Sequence, residues 1–342
     1  MVTDGADRLR GSFSKSPLSF DGLAGRGALL SHLRRHVREN AAGLCLLFHG
    51  QKGVGKSLIA SLFARAISCE QPTAAGASCN QCVSCRDFER GSALGYAYID
   101  VAAGNEEDVK EKMSRAALLA GGTSLVRVVI QIDNTDKCSQ EIFDVLLKTL
   151  EDRSAIFLLT ATKYDLIRPA VRSRAIAYRV GPLGREEAVF VIGSLFSDNG
   201  VRSGDGVIEL LGAMSQGVPS KILELWATVS GRAGLTLRDI RDVFDLNWPD
   251  EIADSRALRL AAHDLVKDPA VFAPKHGAGE GARRLRSTLV QIGMWEASKP
   301  SEASSIADPA FFRLDEGTKA ALLADFYDGC SARTIGRRDL WS

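Results

Sequence analysis

"LCLLFHGQKGVGKSLIASLFARAI", residues 44–67, decides how the rest of the chain is read. An apolar run ends at His49, a glycine-rich turn follows, and apolar residues then recur at helical spacing from Lys56 onward. Gly50, Gly53, Gly55, Lys56 and Ser57 stand in the order G-x-x-x-x-G-K-S, directly after a predicted strand and directly before a predicted helix. Glycines let successive backbone N–H groups turn inward around a phosphate. Lys56 can reach the β and γ phosphates, and the Ser57 hydroxyl can sit on Mg²⁺ at a helix N-terminus that favours anions. The stretch predicts a site for ATP or another nucleoside triphosphate on a strand–loop–helix unit. Phosphate cradling by itself does not separate an ATPase from a GTPase or a kinase.

Outward from this unit, strand-like runs alternate with helical patterns from about Leu18 to Tyr178, the signature of an α/β domain with a largely parallel sheet. The predicted strands are "LCLLFH" (44–49), "AYIDV" (97–101), "VRVVIQID" (126–133) and "AIFLLTA" (155–161). "KSLIASLFARAI" and "SQEIFDVLLKTLED" are the helices between them, with Ile142, Leu146 and Leu150 on one face of the second. The strand signal then fades. Residues 181–248 read as a small helical module and 249–342 as a helical C-terminal domain, where Leu258, Ala262 and Leu265, then Leu285, Leu289 and Ile292 repeat at helical spacing.

Composition excludes more than it identifies. The 342 residues, 45% hydrophobic and 25% charged, describe a globular chain of two or three domains. No apolar run reaches the roughly 18 residues of a membrane span, and the first residues lack the apolar middle of a secretory signal, so a cytoplasmic location without a membrane partner is expected. A net charge of +1 supplies no bulk field for nucleic acid; contact with DNA would need a local patch or an assembly.

Of the seven cysteines, Cys69, Cys79, Cys82 and Cys85 cluster within 69–85, whereas Cys45, Cys138 and Cys330 stand alone. Four thiolates at such spacing close a tetrahedral Zn²⁺ shell with no open position, which predicts a structural zinc insert.

A phosphate loop followed by this four-cysteine insert resembles the AAA+ subunits of the bacterial DNA polymerase III sliding-clamp loader, of gamma/tau and delta-prime type. "SFDGLAGRGALLSHL", "VLLKTLED" and "RPAVRSRA" look like further family segments, the last with Ala175 where a cysteine is usual. The resemblance implies an AAA+ nucleotide-binding domain over 1–180, a helical lid over 181–248 and a collar-like oligomerisation domain over 249–342. It implies ATP, Mg²⁺ and Zn²⁺ as cofactors. Other loader subunits in a pentameric ring, the sliding clamp and primed DNA reached through the assembly are the implied partners. By resemblance Asp133 orients the Mg²⁺ shell, Thr162 senses the γ phosphate, and Arg174 projects in trans into a neighbouring subunit's site. Lys221 takes the second-sensor position, where an arginine is usual.

In hydrolysing members the residue after Asp133 is a glutamate that deprotonates the attacking water. Here it is Asn134, which cannot accept a proton. Asp136 is the nearest other carboxylate in the sequence. Two readings remain open: a delta-prime-like subunit with weak or absent intrinsic hydrolysis, and a gamma/tau-like motor. A small-molecule kinase or GTPase would leave the cysteines and the Ser-Arg segment unexplained.

Overall fold

The computed structural model describes residues 19–121, 127–151 and 155–244. The chain divides after Leu183 into two units. The domain expected over 249–342 lies outside the described residues, as does Cys330.

The first unit opens with α1 (Gly27–Arg38) and continues through β1 (Cys45–His49), α2 (Lys56–Ile67), α3 (Val83–Arg90) and β2 (Tyr96–Asp100). It then runs through α4 (Glu106–Gly121), β3 (Val129–Asp133), α5 (Gln140–Glu151), β4 (Ile156–Ala161), α6 (Pro169–Arg172) and β5 (Ile176–Arg179). The five strands form one sheet in the order β2-β3-β4-β1-β5, with every neighbouring pair parallel. Such a sheet is covered on both faces, which is why β1, β3 and β4 read as nearly unbroken apolar runs.

Alternation sorts their side chains. Leu47, Ile130, Ile132, Phe157 and Leu159 pack with Met113 of α4 and Leu146 of α5, whereas Leu46, Phe48, Val129, Ile156 and Leu158 pack with Leu33 of α1 and with Ile59 and Phe63 of α2. The faces differ at the C-terminal ends of the strands. On the α2 side, the apolar positions at the start of β2, β3 and β4 give way to Tyr98 and Asp100, Gln131 and Asp133, and Thr160. Side chains two residues apart share a face, so this polar stripe grows out of the apolar core.

The strand β5 escaped the sequence reading. It is an edge strand with three exposed positions of four, so it carries no hydrophobic alternation to detect. Its end nevertheless shapes the phosphate loop: a Cβ placed on Gly50, whose φ is +146°, would lie 2.1 Å from the Val180 carbonyl oxygen.

The second unit contains α7 (Arg185–Asp198), α8 (Val207–Ser215), α9 (Pro219–Val229) and α10 (Leu237–Val243). A parallel ladder of two residues each, β6 (Arg202–Ser203) and β7 (Gly234–Leu235), is too short to leave a periodic signal. Phe196 and Trp226 meet edge to face in its core, with ring centroids 5.2 Å apart. No helix among the described residues is long and apolar enough to cross a membrane.

Gly50→Ala should destabilise the first unit by about 2 kcal/mol or more, because it combines a left-handed φ with a backbone clash. Chemical denaturation against the Gly55→Ala protein checks the cause. Gly55 has φ +93° but nothing within 4 Å of its Cβ position, so it carries the conformational cost without the clash.

Candidate functional site

The loop from Gly50 to Gly55 joins β1 to α2, with Gly50, Gly53 and Gly55 all at positive φ. Only glycine adopts this succession cheaply, and it turns the N-terminus of α2 toward the loop's concave side. Lys56 is buried, and its ammonium donates to the carbonyls of Gly50 at 2.7 Å and Gln51 at 2.8 Å. Burial lowers its pKa, with the Asp136 and Asp133 carboxylates pulling the other way. A cation held inside a glycine cradle suits an anion such as a phosphate. Arg26 braces the outside of the loop, donating to the Val54 carbonyl at 2.5 Å and the Gly181 carbonyl at 3.1 Å.

Asp133, 4% exposed, ends β3. Its Oδ1 accepts from the Thr160 hydroxyl at 2.9 Å and from Gln131 Nε2 at 3.2 Å, and its Oδ2 accepts from the Tyr98 hydroxyl at 3.1 Å. Three neutral donors orient the charge without cancelling it. Burial and the Asp133 carboxylate together raise the Tyr98 pKa, so the hydroxyl stays a donor.

Gln131 is wholly buried and its amide is saturated. Nε2 donates to Asp133 and to the Ser57 carbonyl at 3.3 Å, while Oε1 accepts from Ser61 at 3.0 Å and Tyr96 at 2.9 Å. It links the first turn of α2, which carries the candidate Mg²⁺ hydroxyl of Ser57, to the candidate Mg²⁺-side carboxylate of Asp133. The residues present therefore fit a magnesium–nucleotide, with Ser57 and Asp133 on the metal side and Lys56 on the phosphates. When bound, the metal neutralises phosphate charge.

Other expected residues fall as follows. Asn134 follows Asp133 at φ 58°; its N–H donates to Thr160 Oγ1 at 3.2 Å and its Nδ2 to Asp100 Oδ1 at 2.8 Å. Asp136 is already engaged, accepting from the backbone N–H groups of Thr162 at 3.2 Å and Lys163 at 3.1 Å. Thr162 itself is exposed just past β4, whereas Thr160 is the hydroxyl that meets Asp133. Arg174 is exposed beyond α6, donates to the Ala170 carbonyl at 2.9 Å and pairs with Glu151 at 3.4 Å. A surface pair of this kind holds by at most about 1 kcal/mol, so the guanidinium is easily released to another partner. Lys221 belongs to the second unit, where its amine donates to Gln216 Oε1 at 3.1 Å.

The cysteine insert forms a second site. The sulfurs of Cys69, Cys79, Cys82 and Cys85 lie within 4.8 Å of one another, with Cys69 to Cys82 at 3.8 Å and Cys79 to Cys85 at 4.0 Å. Four thiolates about 2.3 Å from a tetrahedral ion stand about 3.8 Å apart, so this set can hold a metal. Backbone N–H groups point at the sulfurs: those of Gln81 and Cys82 at Cys79, that of Cys79 at Cys69, and that of Cys85 at Cys82. Those of Gln81 and Cys82 lower the Cys79 pKa to about 6, whereas burial pushes Cys69 up to about 12. Gly76 closes the turn, its Cβ position 2.4 Å from the Arg34 carbonyl oxygen of α1. The lone thiols Cys45 and Cys138 are each pushed up to about 12, chiefly by burial, and are inert by comparison.

A family model described as DNA polymerase III, delta subunit, matches residues 25–183, which hold both sites. Over these residues the chain is similar to clamp-loader subunits of gamma/tau/delta-prime type. Similar proteins include the DNA polymerase III subunit gamma of Buchnera aphidicola subsp. Baizongia pistaciae, 22% identical over 241 residues, or 69% of this chain and 64% of that one. The DNA polymerase III subunit tau of Bacillus subtilis is 25% identical over 203 residues, 59% of this chain and 36% of that one. The chain thus spans less than two thirds of either relative. Among solved structures, the Thermotoga maritima RuvB Holliday junction branch migration motor aligns with a TM-score of 0.51 at 18% identity, over 73% of this chain and 79% of that one. That likeness shows the fold alone, a parallel sheet flanked by helices as in AAA+ proteins.

Gln131, Thr160, Tyr98 and Asp100 were missed by sequence reading, although Gln131 left a signal as the polar residue inside "VVIQID". In the first domain, Gln131→Leu keeps most of the volume but removes four hydrogen bonds. It should cost about 1–3 kcal/mol of stability and weaken nucleotide binding more with Mg²⁺ than without it. Urea denaturation and paired nucleotide titrations, with Mg²⁺ and with chelator, check this.

Proposed function

We propose that the chain is a delta-prime-like subunit of a DNA polymerase III-type clamp loader. It binds Mg-ATP at the Gly50–Ser57 loop, hydrolyses it weakly or not at all by itself, and acts in the cytoplasm within a pentameric ring of loader subunits. The ring opens the sliding clamp and places it on primed DNA. The observation that carries this reading is the neutral Asn134 where a general base is needed, its amide already bonded to Asp100. The alternative base in the sequence, Asp136, has both carboxylate oxygens bonded to backbone N–H groups.

The roles follow from the positions. Lys56 and the loop glycines hold the phosphates, Asp133 orients the metal's water shell, and Thr162, just past β4, senses the γ phosphate. Lys221 reports from the lid. Arg174, exposed and only weakly paired, is free to enter a neighbour's site, where a guanidinium stabilises charge that develops as the phosphoryl group transfers. The four cysteines hold a structural Zn²⁺ that stiffens the insert. A second reading, a gamma/tau-like motor, is favoured by the complete phosphate loop and by the similarity to gamma and tau subunits.

The purified chain should bind Mg-ATP, Lys56→Ala should abolish that binding, and steady-state phosphate release at saturating ATP should stay near background. Removal of a positioned general base typically costs about 10² to 10⁴ in rate. Brisk release by the isolated chain would decide for the motor reading. Metal analysis after purification without added zinc should give about one Zn²⁺ per chain, as expected for one closed four-thiolate shell. Cys82→Ser should lose that zinc, and a metal content unchanged by the substitution would remove the zinc assignment.

A further inference from the structure

The Asn134 side chain does not simply leave a gap. Asp100 ends β2, Asp133 ends β3, and the two are register partners in the parallel ladder, so Asn134 lies one residue past the strand end beside Asp100. Asn134 Nδ2 donates to Asp100 Oδ1 at 2.8 Å, and the same oxygen accepts from the Ala102 N–H at 2.9 Å. The backbone of Asn134 is left-handed, a conformation asparagine tolerates better than most residues, and its N–H is bonded to Thr160. Side chain and main chain are both held. One carboxylate and one carboxamide face each other at the mouth of the site, with the negative charge on β2 and the neutral group after β3.

We propose that Asp100 is a positioning residue for the nucleotide site and that Asp100 and Asn134 form a charge-exchanged pair. The carboxylate stands on β2, where it orients an amide, and not after β3, where it would take a proton from water. This deepens the nucleotide-binding reading and rests on it. A carboxylate that accepts from Nδ2 fixes which way the amide is turned. Oδ1 is left as the acceptor on the other branch of the amide, able to orient a water but unable to deprotonate it.

A consequence follows that the sequence did not suggest. A carboxylate introduced at position 134 alone would stand near Asp100 in place of the donor that Asp100 now accepts from, and paired carboxylates disfavour each other's charged form. Asn134→Glu by itself is therefore a poor repair. Combined with Asp100→Asn, it restores one charge and one amide in the opposite order.

The test compares four full-length proteins: wild type, Asp100→Asn, Asn134→Glu and the double variant. Each is measured by thermal denaturation without nucleotide, by titration with a fluorescent ATP analogue and Mg²⁺, and by phosphate release at saturating ATP. Asn134→Glu should lower the melting temperature, and the double variant should recover the part of that loss that comes from the facing carboxylates. The backbone cost of glutamate at this φ is common to both, so the recovery isolates the pair. Nucleotide affinity should stay close to wild type throughout. Turnover should remain near wild type in Asn134→Glu and rise about tenfold or more in the double variant, a split between binding and rate that a merely structural Asp100 would not produce.

Asn134→Glu turning over as fast as the double variant, or effects on melting temperature that simply add, would overturn the pairing while leaving the nucleotide site intact. Brisk wild-type turnover abolished by Asp100→Asn would make Asp100 the base itself and overturn its positioning role. Wild type that bound no Mg-ATP would instead overturn the nucleotide reading, and the nucleotide-free melting series would then judge the pairing alone.

Discussion

A carboxylate buried at the end of a central strand must be satisfied by its neighbours, and much of the first domain can be understood from how Asp133 meets that demand. An isolated buried charge is expensive. Here it is offset by hydrogen bonds from Thr160, Gln131 and Tyr98, contributed by β4, β3 and β2, and by the Coulombic attraction it shares with the Lys56 ammonium. The parallel register sets those donors on one face at one end of the sheet. The sheet is thus apolar where it meets the body of α1 and α2 and polar where it meets the phosphate loop. Gln131 joins the two regimes, since its amide spends its full hydrogen-bonding capacity between the α2 turn and Asp133.

On the proposed reading, the same ends of the strands separate nucleotide binding from turnover. Groups suited to phosphate and metal come from the loop, the α2 N-terminus and Asp133. The group that would move a proton belongs one residue beyond β3, and there the chain carries an amide engaged by Asp100. Asp136, next in line, is committed to the backbone of the β4 exit turn, so it braces the segment carrying Thr162 and is not free to meet a water. Binding and proton transfer rest on different residues, which is what allows one to persist without the other.

The cysteine insert solves a different problem. The segment between α2 and α3 is short and rich in turn residues, with few apolar side chains of its own to bury. A closed thiolate shell around a metal would supply the cross-links that such a segment cannot draw from packing. Gly76 presses the turn against the Arg34 carbonyl, and Arg65 of α2, buried, reaches Glu89 of α3 at 3.7 Å. The insert is therefore keyed to α1 and to α2, the helix that follows the phosphate loop.

The sequence by itself determined the nucleotide loop, the α/β class, four of the five strands of the sheet and the four-thiolate cluster. Each rests on short-range information: glycine and lysine at fixed spacing, apolar runs of strand length, cysteines with two residues between them. It also exposed Asn134, which cannot accept a proton, because it is adjacent in sequence to Asp133. Only the tertiary structure decided what surrounds that asparagine. Asp100 lies 34 residues away along the chain and meets Asn134 because β2 and β3 pair in one register. Thr160 faces Asp133 for the same reason, across β3 and β4. β5 stayed hidden because an exposed edge strand has no periodicity to read, and the need for glycine at position 50 became specific only when the Val180 carbonyl was found against it. Contacts between strands are set by register, and register is a property of the folded sheet that no local pattern records.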